Sequence, residues 1–166
     1  MRPALHRCLA IGAIAAWAAT AQTPLGPDRP ADAVAVAAPA TIAAGGHGIL
    51  KITLRIMEDG HANSNVPGDP DLIPTTFKAA PAAGIVWGRT VFPEPQSVRE
   101  VYSPLALSVF ETGAVIEAPF TIDSATKPGP VALSGVLQTQ VCDHEQCYPP
   151  IRIQLAATVK VSPLKK

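Results

Sequence analysis

Apolar and polar residues alternate along several short stretches of the chain, with the period of two that is typical of β-strands that have one face in a core. The first clear stretch places four apolar side chains on one face, at Leu50, Ile52, Leu54 and Ile56. Similar alternation follows at 105–109, 116–122, 131–141 and 151–161. Val34 and Val36 predict a first edge strand, and Ile85–Trp87 predicts another short strand.

Turn-forming residues separate these stretches, and proline is abundant, with 18 residues among 166. Turns rich in glycine or proline are predicted at 45–48, 58–60 and 127–130. Residues 61–76 contain three prolines, two asparagines and Gly68, and we expect an ordered loop there. About seven short strands at this spacing predict an all-β domain with the architecture of an immunoglobulin-like two-sheet sandwich.

The first 21 residues have the pattern of a secretory signal peptide. Arg2 and Arg7 provide a basic start, an apolar run follows at 8–19, and Ala19-Thr20-Ala21 provides small residues for cleavage near Ala21. The apolar run is too short for an ordinary membrane span, so we expect no membrane insertion after cleavage. Residues 22–32 are predicted to be a flexible leader, 33–162 the domain, and 163–166 a tail.

Charge and motifs exclude several classes of function. The chain has 13 basic and 13 acidic residues, which gives no electrostatic reason to expect nucleic-acid binding. We find no Ser-His-Asp order, no glycine loop that could hold a phosphate and no pair of carboxylates in a strand. Their absence from the sequence argues against a hydrolase. We expect no cofactor.

The chemistry-bearing residues are two of the three cysteines, because Cys8 lies in the predicted signal peptide. Cys142 and Cys147 lie between the last two predicted strands, and the alternation places Cys142 on the polar face. Closing so short a loop stabilises a fold by only about 2 kcal/mol, against nearly 5 kcal/mol for a loop of about 100 residues. A bridge this local favours disulfide exchange over stapling, although the spacing alone leaves both open.

Two alternatives remain beside exchange. The chain could be a binding domain without enzymatic activity, in which the cysteines form a structural disulfide. Cys142, His144 and Cys147 could instead hold a soft metal such as Cu(I). A protonated His144 would favour a thiolate, whereas Asp143 and Glu145 would oppose it, so the net effect on the thiol pKa is undecided.

Two sequence blocks carry a resemblance to a known family. The first is Gln140-x-Cys142-Asp143-x-x-x-Cys147-Tyr148-Pro149-Pro150. The second is Asp59-Gly60-His61-x-Asn63-Ser64-Asn65-x-Pro67, followed by Leu72-Ile73-Pro74-Thr75. In this order and at this distance they resemble the amino-terminal periplasmic domain of DsbD-type thiol:disulfide interchange proteins, over residues 33–161.

The resemblance implies an immunoglobulin-like periplasmic domain that receives electrons from a membrane-embedded relay protein and passes them to thioredoxin-fold proteins. It implies that Cys142 and Cys147 are the redox pair, and that an aromatic residue on a mobile cap loop covers them. Phe92 lies where that loop would fall, and its alternative role is that of a core or turn aromatic. Tyr148 would pack beside the disulfide or anchor the turn. The 166 residues include no multi-helix membrane domain and no thioredoxin-like domain, so we expect a stand-alone module that uses a separate membrane protein.

Overall fold

The structure is a computed structural model that describes residues 25–164. The predicted signal peptide, 1–21, lies outside the described residues. Within 25–164 the chain forms strands and no helix. The strands are β1 (Ala31–Ala38), β2 (Thr41–Ala43), β3 (His47–Ile56), β4 (His61–Asn63), β5 (Thr76–Ala79), β6 (Ile85–Trp87), β7 (Gln96–Val98), β8 (Leu107–Phe110), β9 (Val115–Ile122), β10 (Gly129–Thr139), β11 (Val141–Cys142) and β12 (Ile151–Ser162).

The strands form three four-stranded sheets. The first sheet has the order β1-β3-β9-β6, the second β2-β12-β10-β5, and the third β11-β4-β8-β7. Neighbouring strands are antiparallel except β12 and β2, which run parallel. The architecture is an immunoglobulin-like sandwich, in which the first and second sheets supply the two main layers.

The core lies between the inner faces of these layers, and it confirms the alternation seen in the sequence. The first sheet contributes Leu50, Ile52, Leu54, Ile116, Phe120 and Ile122. The second contributes Leu133, Leu137, Leu155, Val159 and Val161. Val34 and Val36 point outward from edge strand β1, as predicted for a first edge strand. Burying apolar side chains of this size is the main stabilising contribution to the fold.

The third sheet, at which the cysteines lie, begins at a corner in the chain. β10 pairs with β5 up to Gln138 and with β12 up to Thr139, Gln140 follows, and β11 then pairs with β4. The prediction of a loop throughout 61–76 was therefore wrong at its start, because His61–Asn63 forms β4. That strand is three residues long and has no alternating pattern to detect; its pairing with β8 and β11 holds it in place.

The first and last long strands of the described residues are β1 and β12. β1 starts at Ala31, so the last two residues of the predicted leader, Ala31 and Asp32, pair with Ile56 and Arg55 of β3. β12 ends at Ser162. In the described part of the chain, no helix is long and apolar enough to cross a membrane.

Candidate functional site: a disulfide at a hairpin tip

Cys142 and Cys147 are bonded to each other at the tip of the hairpin that joins β11 to β12. The sulfur atoms are 2.08 Å apart and the Cα atoms 3.9 Å apart, with five residues of sequence separation. The two cysteines face each other across an antiparallel bridge. The Cα separation is below the usual 4.4–6.8 Å of disulfides, since the partners are directly opposed in this tight turn.

The turn between the cysteines is held by Asp143. One carboxylate oxygen of Asp143 accepts hydrogen bonds from the backbone N–H groups of Glu145 and Gln146, both at 2.8 Å. The other oxygen accepts a hydrogen bond of 2.6 Å from the hydroxyl of Tyr148. The Tyr148 hydroxyl and these N–H groups lower the pKa of Asp143, and the same carboxylate raises the pKa of Tyr148. Tyr148 thus anchors the turn, one of its two predicted roles.

Backbone hydrogen bonds close the same hairpin independently of the disulfide. The N–H of Asp143 donates to the carbonyl of Gln146 at 2.9 Å, and the N–H of Tyr148 donates to the carbonyl of Val141 at 2.8 Å. The sequence-based prediction considered Asp143 only as a charge that opposes a thiolate. Its place at the first position of the turn, where aspartate commonly bonds to the following N–H groups, was the signal for its larger role.

The two cysteines differ in exposure. Cys142 is fully buried, at 0% relative exposure, whereas Cys147 is half-buried. Cys142 does lie on the face opposite to buried Val141, as alternation predicted, but this face is not open to solvent at Cys142. Segments from elsewhere in the chain contact its neighbours, since Ile73 bonds to Asn63 and Tyr102 bonds to His61, and the alternation of a strand carries no information about such segments.

Asn63 is the polar side chain that contacts the Cys142 sulfur from β4. Its Nδ2 donates to the carbonyl of Ile73 at 3.1 Å and to Oε1 of Gln140 at 3.0 Å. Its Oδ1 lies 3.9 Å from Sγ of Cys142. Gln140 also accepts a hydrogen bond from the N–H of Ile73 and donates to the carbonyl of Tyr148, so it joins β4, the 64–75 loop and the hairpin.

A cluster of titratable side chains from loop 99–106 lies beside the hairpin. The Glu100 side chain is only 6% exposed, and its carboxylate lies 3.2 Å from Nδ1 of His144 and 3.9 Å from Nδ1 of His61. The Tyr102 hydroxyl is 3.1 Å from Nε2 of His61. Burial lowers the pKa of His61 although Glu100 acts to raise it, and burial raises the pKa of Tyr102 to about 12. His61 is directly opposite Cys142 in the β4–β11 pair.

The structure places Phe92 apart from this cluster, in the packing around β8. Its ring stacks on that of Phe110, with centroids 6.2 Å apart and an interplanar angle of 1°. Its neighbour Val91 forms a bridge to Glu117 of β9. This arrangement matches a core aromatic, the alternative to the cap role expected from the resemblance. The segment that carries Tyr102 contacts His61 and His144, which lie next to the cysteines.

Comparison with known proteins gives matches only among solved structures. No protein-family model matches the chain, and no curated protein matches it in sequence. The N-terminal periplasmic domain of ScsB from Proteus mirabilis is similar with a TM-score of 0.47 and 13% identity over 81% of this chain. The chain spans about half of that structure, 48% of its length.

The N-terminal domain of DsbD from Neisseria meningitidis, in its reduced form, is similar with a TM-score of 0.46 and 18% identity, over 82% of this chain and 94% of that one. Two structural neighbours are thus N-terminal domains of ScsB and DsbD. A type I cohesin from Pseudobacteroides cellulosolvens has a TM-score of 0.48 at 9% identity, over 81% of this chain and 95% of the cohesin. Likeness at this level does not fix a function, so the geometry of the site must support one.

The structure brings together most of the residues that the sequence singled out, and adds two. Cys142, Cys147, His144 and Tyr148 share the hairpin, and Gln140, His61 and Asn63 from the two sequence blocks contact it or lie beside it. Sequence reasoning missed Glu100 and Tyr102, which no motif marks, and the fixed orientation of Asn63. Within residues 25–164, no group of three or more His, Cys, Asp or Glu side chains is placed to hold a metal ion.

Proposed function

We propose that this chain is a periplasmic thiol-disulfide exchange module, and that Cys142 and Cys147 are its redox pair. It passes reducing equivalents between a membrane-embedded relay protein and thioredoxin-fold proteins. The observation that carries the proposal is the asymmetric disulfide at the hairpin tip, with Cys147 half-buried and Cys142 fully buried. The predicted signal peptide and the two sequence blocks that resemble DsbD-type domains support the compartment and the kinds of partner.

The disulfide contributes little as a structural staple. The hairpin is already closed by two backbone hydrogen bonds and by the carboxylate of Asp143. A bridge across so short a loop adds only about 2 kcal/mol in the chain-entropy model. A bond that the turn does not need, at an edge another protein can approach, is better suited to being opened and closed.

The burial difference assigns the order of the chemical steps. A partner thiolate attacks Sγ of Cys147, the S–S bond breaks, and Sγ of Cys142 leaves with the electron pair and takes up a proton. The second thiolate of the partner then attacks the partner's own sulfur and releases Cys147. The partner dithiol loses two electrons and becomes a disulfide, and the Cys142–Cys147 pair gains them. The reverse sequence passes the electrons to a target.

Mixed-disulfide trapping tests this order, with Cys8→Ser as the background so that each variant retains one thiol. A thioredoxin without its resolving cysteine, activated as a mixed disulfide with an aromatic thiol, serves as the probe. Cys142→Ser should form the protein–protein disulfide, and Cys147→Ser should do so at least about tenfold more slowly, because its remaining sulfur is buried.

The same experiment separates exchange from the structural alternative. If neither variant forms the adduct, and the wild-type disulfide resists mild reductant in the native state, the chain is a binding domain with a structural bridge. Rapid trapping through Cys142 instead of Cys147 would contradict the proposed order.

A further inference from the structure

Asn63 holds a fixed amide whose oxygen faces one sulfur of the pair. Both hydrogens of Nδ2 are used, by the carbonyl of Ile73 and by Oε1 of Gln140. Since both of these partners accept hydrogen bonds, the amide cannot turn over without placing oxygen against oxygen. Oδ1 must therefore point toward Sγ of Cys142, at 3.9 Å.

The Asn63 oxygen lacks a donor while the disulfide is closed. Asn63 is fully buried. Among the described residues, Sγ of Cys142 is the one possible hydrogen-bond partner of Oδ1. A disulfide sulfur carries no hydrogen, whereas the thiol formed on reduction has an S–H that can donate. A buried acceptor without a donor costs free energy, and that cost disappears when Cys142 becomes a thiol.

We propose that Asn63 shifts the redox equilibrium of the Cys142–Cys147 pair toward the dithiol by accepting a hydrogen bond from the reduced Cys142. The inference rests on the proposed exchange function for its purpose and on the amide geometry for its mechanism. In the step concerned, a partner dithiol supplies two electrons, the S–S bond breaks, and each cysteine sulfur ends with one proton. Asn63 takes no part in electron transfer and acts only on the relative stability of the two states.

The shift also gives the two cysteines different roles. Reduced Cys142 is held as a neutral thiol by an oxygen acceptor, while Cys147, half-buried at the tip, carries the exchange with partners. A domain whose dithiol is stabilised in this way accepts electrons readily from its donor. Asn63 is therefore a positioning residue for the pair, although the sequence places it outside the cysteine hairpin.

Equilibration with glutathione measures the effect directly and needs no partner protein. The full chain with Cys8→Ser is incubated at one fixed pH over a range of reduced-to-oxidised glutathione ratios, and the fraction of dithiol is determined after acid quenching. Asn63→Leu should stabilise the disulfide relative to the dithiol by about fivefold in the equilibrium constant. Leu also removes the two hydrogen bonds that Asn63 donates to Ile73 and Gln140. Because these bonds are lost in both redox states, their loss does not change the equilibrium.

Two further variants separate this effect from general disruption of the site. Asn63→Asp keeps an oxygen in the position of Oδ1, so it should equal the wild type or favour the dithiol further. Its second oxygen meets the carbonyl of Ile73 and Oε1 of Gln140 in both redox states, so the cost of that contact does not change the equilibrium. Thr139→Val removes a hydroxyl from the same buried network, where Thr139 bonds to Thr75, without touching the cysteines. It should leave the equilibrium unchanged. If Asn63→Leu and Asn63→Asp shift the equilibrium equally in one direction, or if Asn63→Leu does not shift it, the inference is overturned.

An infrared measurement tests the same hydrogen bond without changing Asn63. In Cys8→Ser, Cys147→Ser protein, Cys142 is the single thiol, and its S–H stretching band should lie at the lower frequency of a hydrogen-bonded thiol. A band at the frequency of a free thiol would overturn the inference even if the Asn63 variants fail to fold. Neither measurement involves disulfide exchange with thioredoxin-fold proteins, so a failure of the proposed function in the trapping experiment would be recognised separately.

Discussion

At the scale of single residues, His61 couples the surroundings of Cys142 to pH. Burial lowers its pKa below the usual 6.5, and this outweighs the opposing effect of the Glu100 carboxylate. Below pH 6.5, His61 is therefore protonated to a greater extent in the unfolded chain than in the folded chain. The free energy of unfolding should fall as the pH drops from 6.5 to the folded-state pKa of His61. Above pH 6.5 this contribution is constant. Denaturant unfolding at a series of pH values measures the loss.

Replacing His61 tests whether this side chain causes the pH dependence. His61→Gln should remove the part of the stability loss that begins near pH 6.5, since the variant has no proton to bind at this position. His47→Gln is the matched control, because His47 is exposed at the far side of the first sheet and bonds to Thr121. It should retain the dependence. Equal slopes in wild type and His61→Gln would show that another group titrates.

At the scale of elements, the corner between β10 and β11 depends on Gln140. Its side chain bonds to the Asn63 amide, the Ile73 N–H and the Tyr148 carbonyl, which belong to three different segments. Gln140→Ala leaves these groups without partners in a partly buried place and should lower the free energy of unfolding by about 1–3 kcal/mol. Denaturant unfolding of the oxidised protein gives the value.

A glutamine two residues earlier provides the control for the corner. Gln138 is in β10 and bonds to exposed Arg152, so Gln138→Ala should change the stability by less than about 0.5 kcal/mol. A loss for Gln138→Ala as large as that for Gln140→Ala would mean that the strand, and not the bonds at the corner, determines the effect.

The loop 99–106 contacts residues that flank the buried cysteine. Tyr102 bonds to His61, which lies opposite Cys142, and Glu100 bonds to His144 on the hairpin. Tyr102→Ala removes the contact with His61 and should make Cys142 more accessible, so alkylation of Cys142 in Cys8→Ser, Cys147→Ser protein should be faster. The rate of alkylation at fixed pH, followed by mass spectrometry, measures the change.

Phe92 provides the comparison, because the sequence led us to expect a cap at this position. Its ring stacks on Phe110, so Phe92→Ala should lower the stability of the fold and leave the rate of Cys142 alkylation close to that of the parent protein under native conditions. Faster alkylation in Phe92→Ala than in Tyr102→Ala would restore the cap role to Phe92.

Element by element, the sequence predicted what depends on local pattern. The alternation at 50–56 and 116–122 placed the inner faces of β3 and β9, and Ile85–Trp87 was recognised as a strand. It did not predict β4, which is too short for a pattern and exists through pairing with β8 and β11. It also did not predict the burial of Cys142, which depends on loops that are close in space and distant in sequence.

At the scale of the whole molecule, the disulfide lies at the margin of the main core. Most of the core lies between the first and second sheets and it extends to Ala62, Phe110 and Val141, whereas the disulfide joins two residues of a hairpin at the edge of the third sheet. The sandwich could be predicted because burial repeats along many strands. The site could be predicted only in part, because its cysteines share a sequence block while Asn63, Glu100 and Tyr102 reach it from elsewhere.

The local character of the bridge, with five residues of sequence separation, predicts that the protein stays folded when the disulfide is reduced. The bridge closes a short loop, so its loss should lower the free energy of unfolding by no more than about 2 kcal/mol. Denaturant unfolding with and without reductant, followed by far-ultraviolet circular dichroism, measures the difference. A variant with all three cysteines replaced by serine should give the same curve in both conditions. If the cooperative transition disappears on reduction, the bridge holds the sandwich together. An exchange module could not work in that way, because its dithiol state must also be folded to meet its partners.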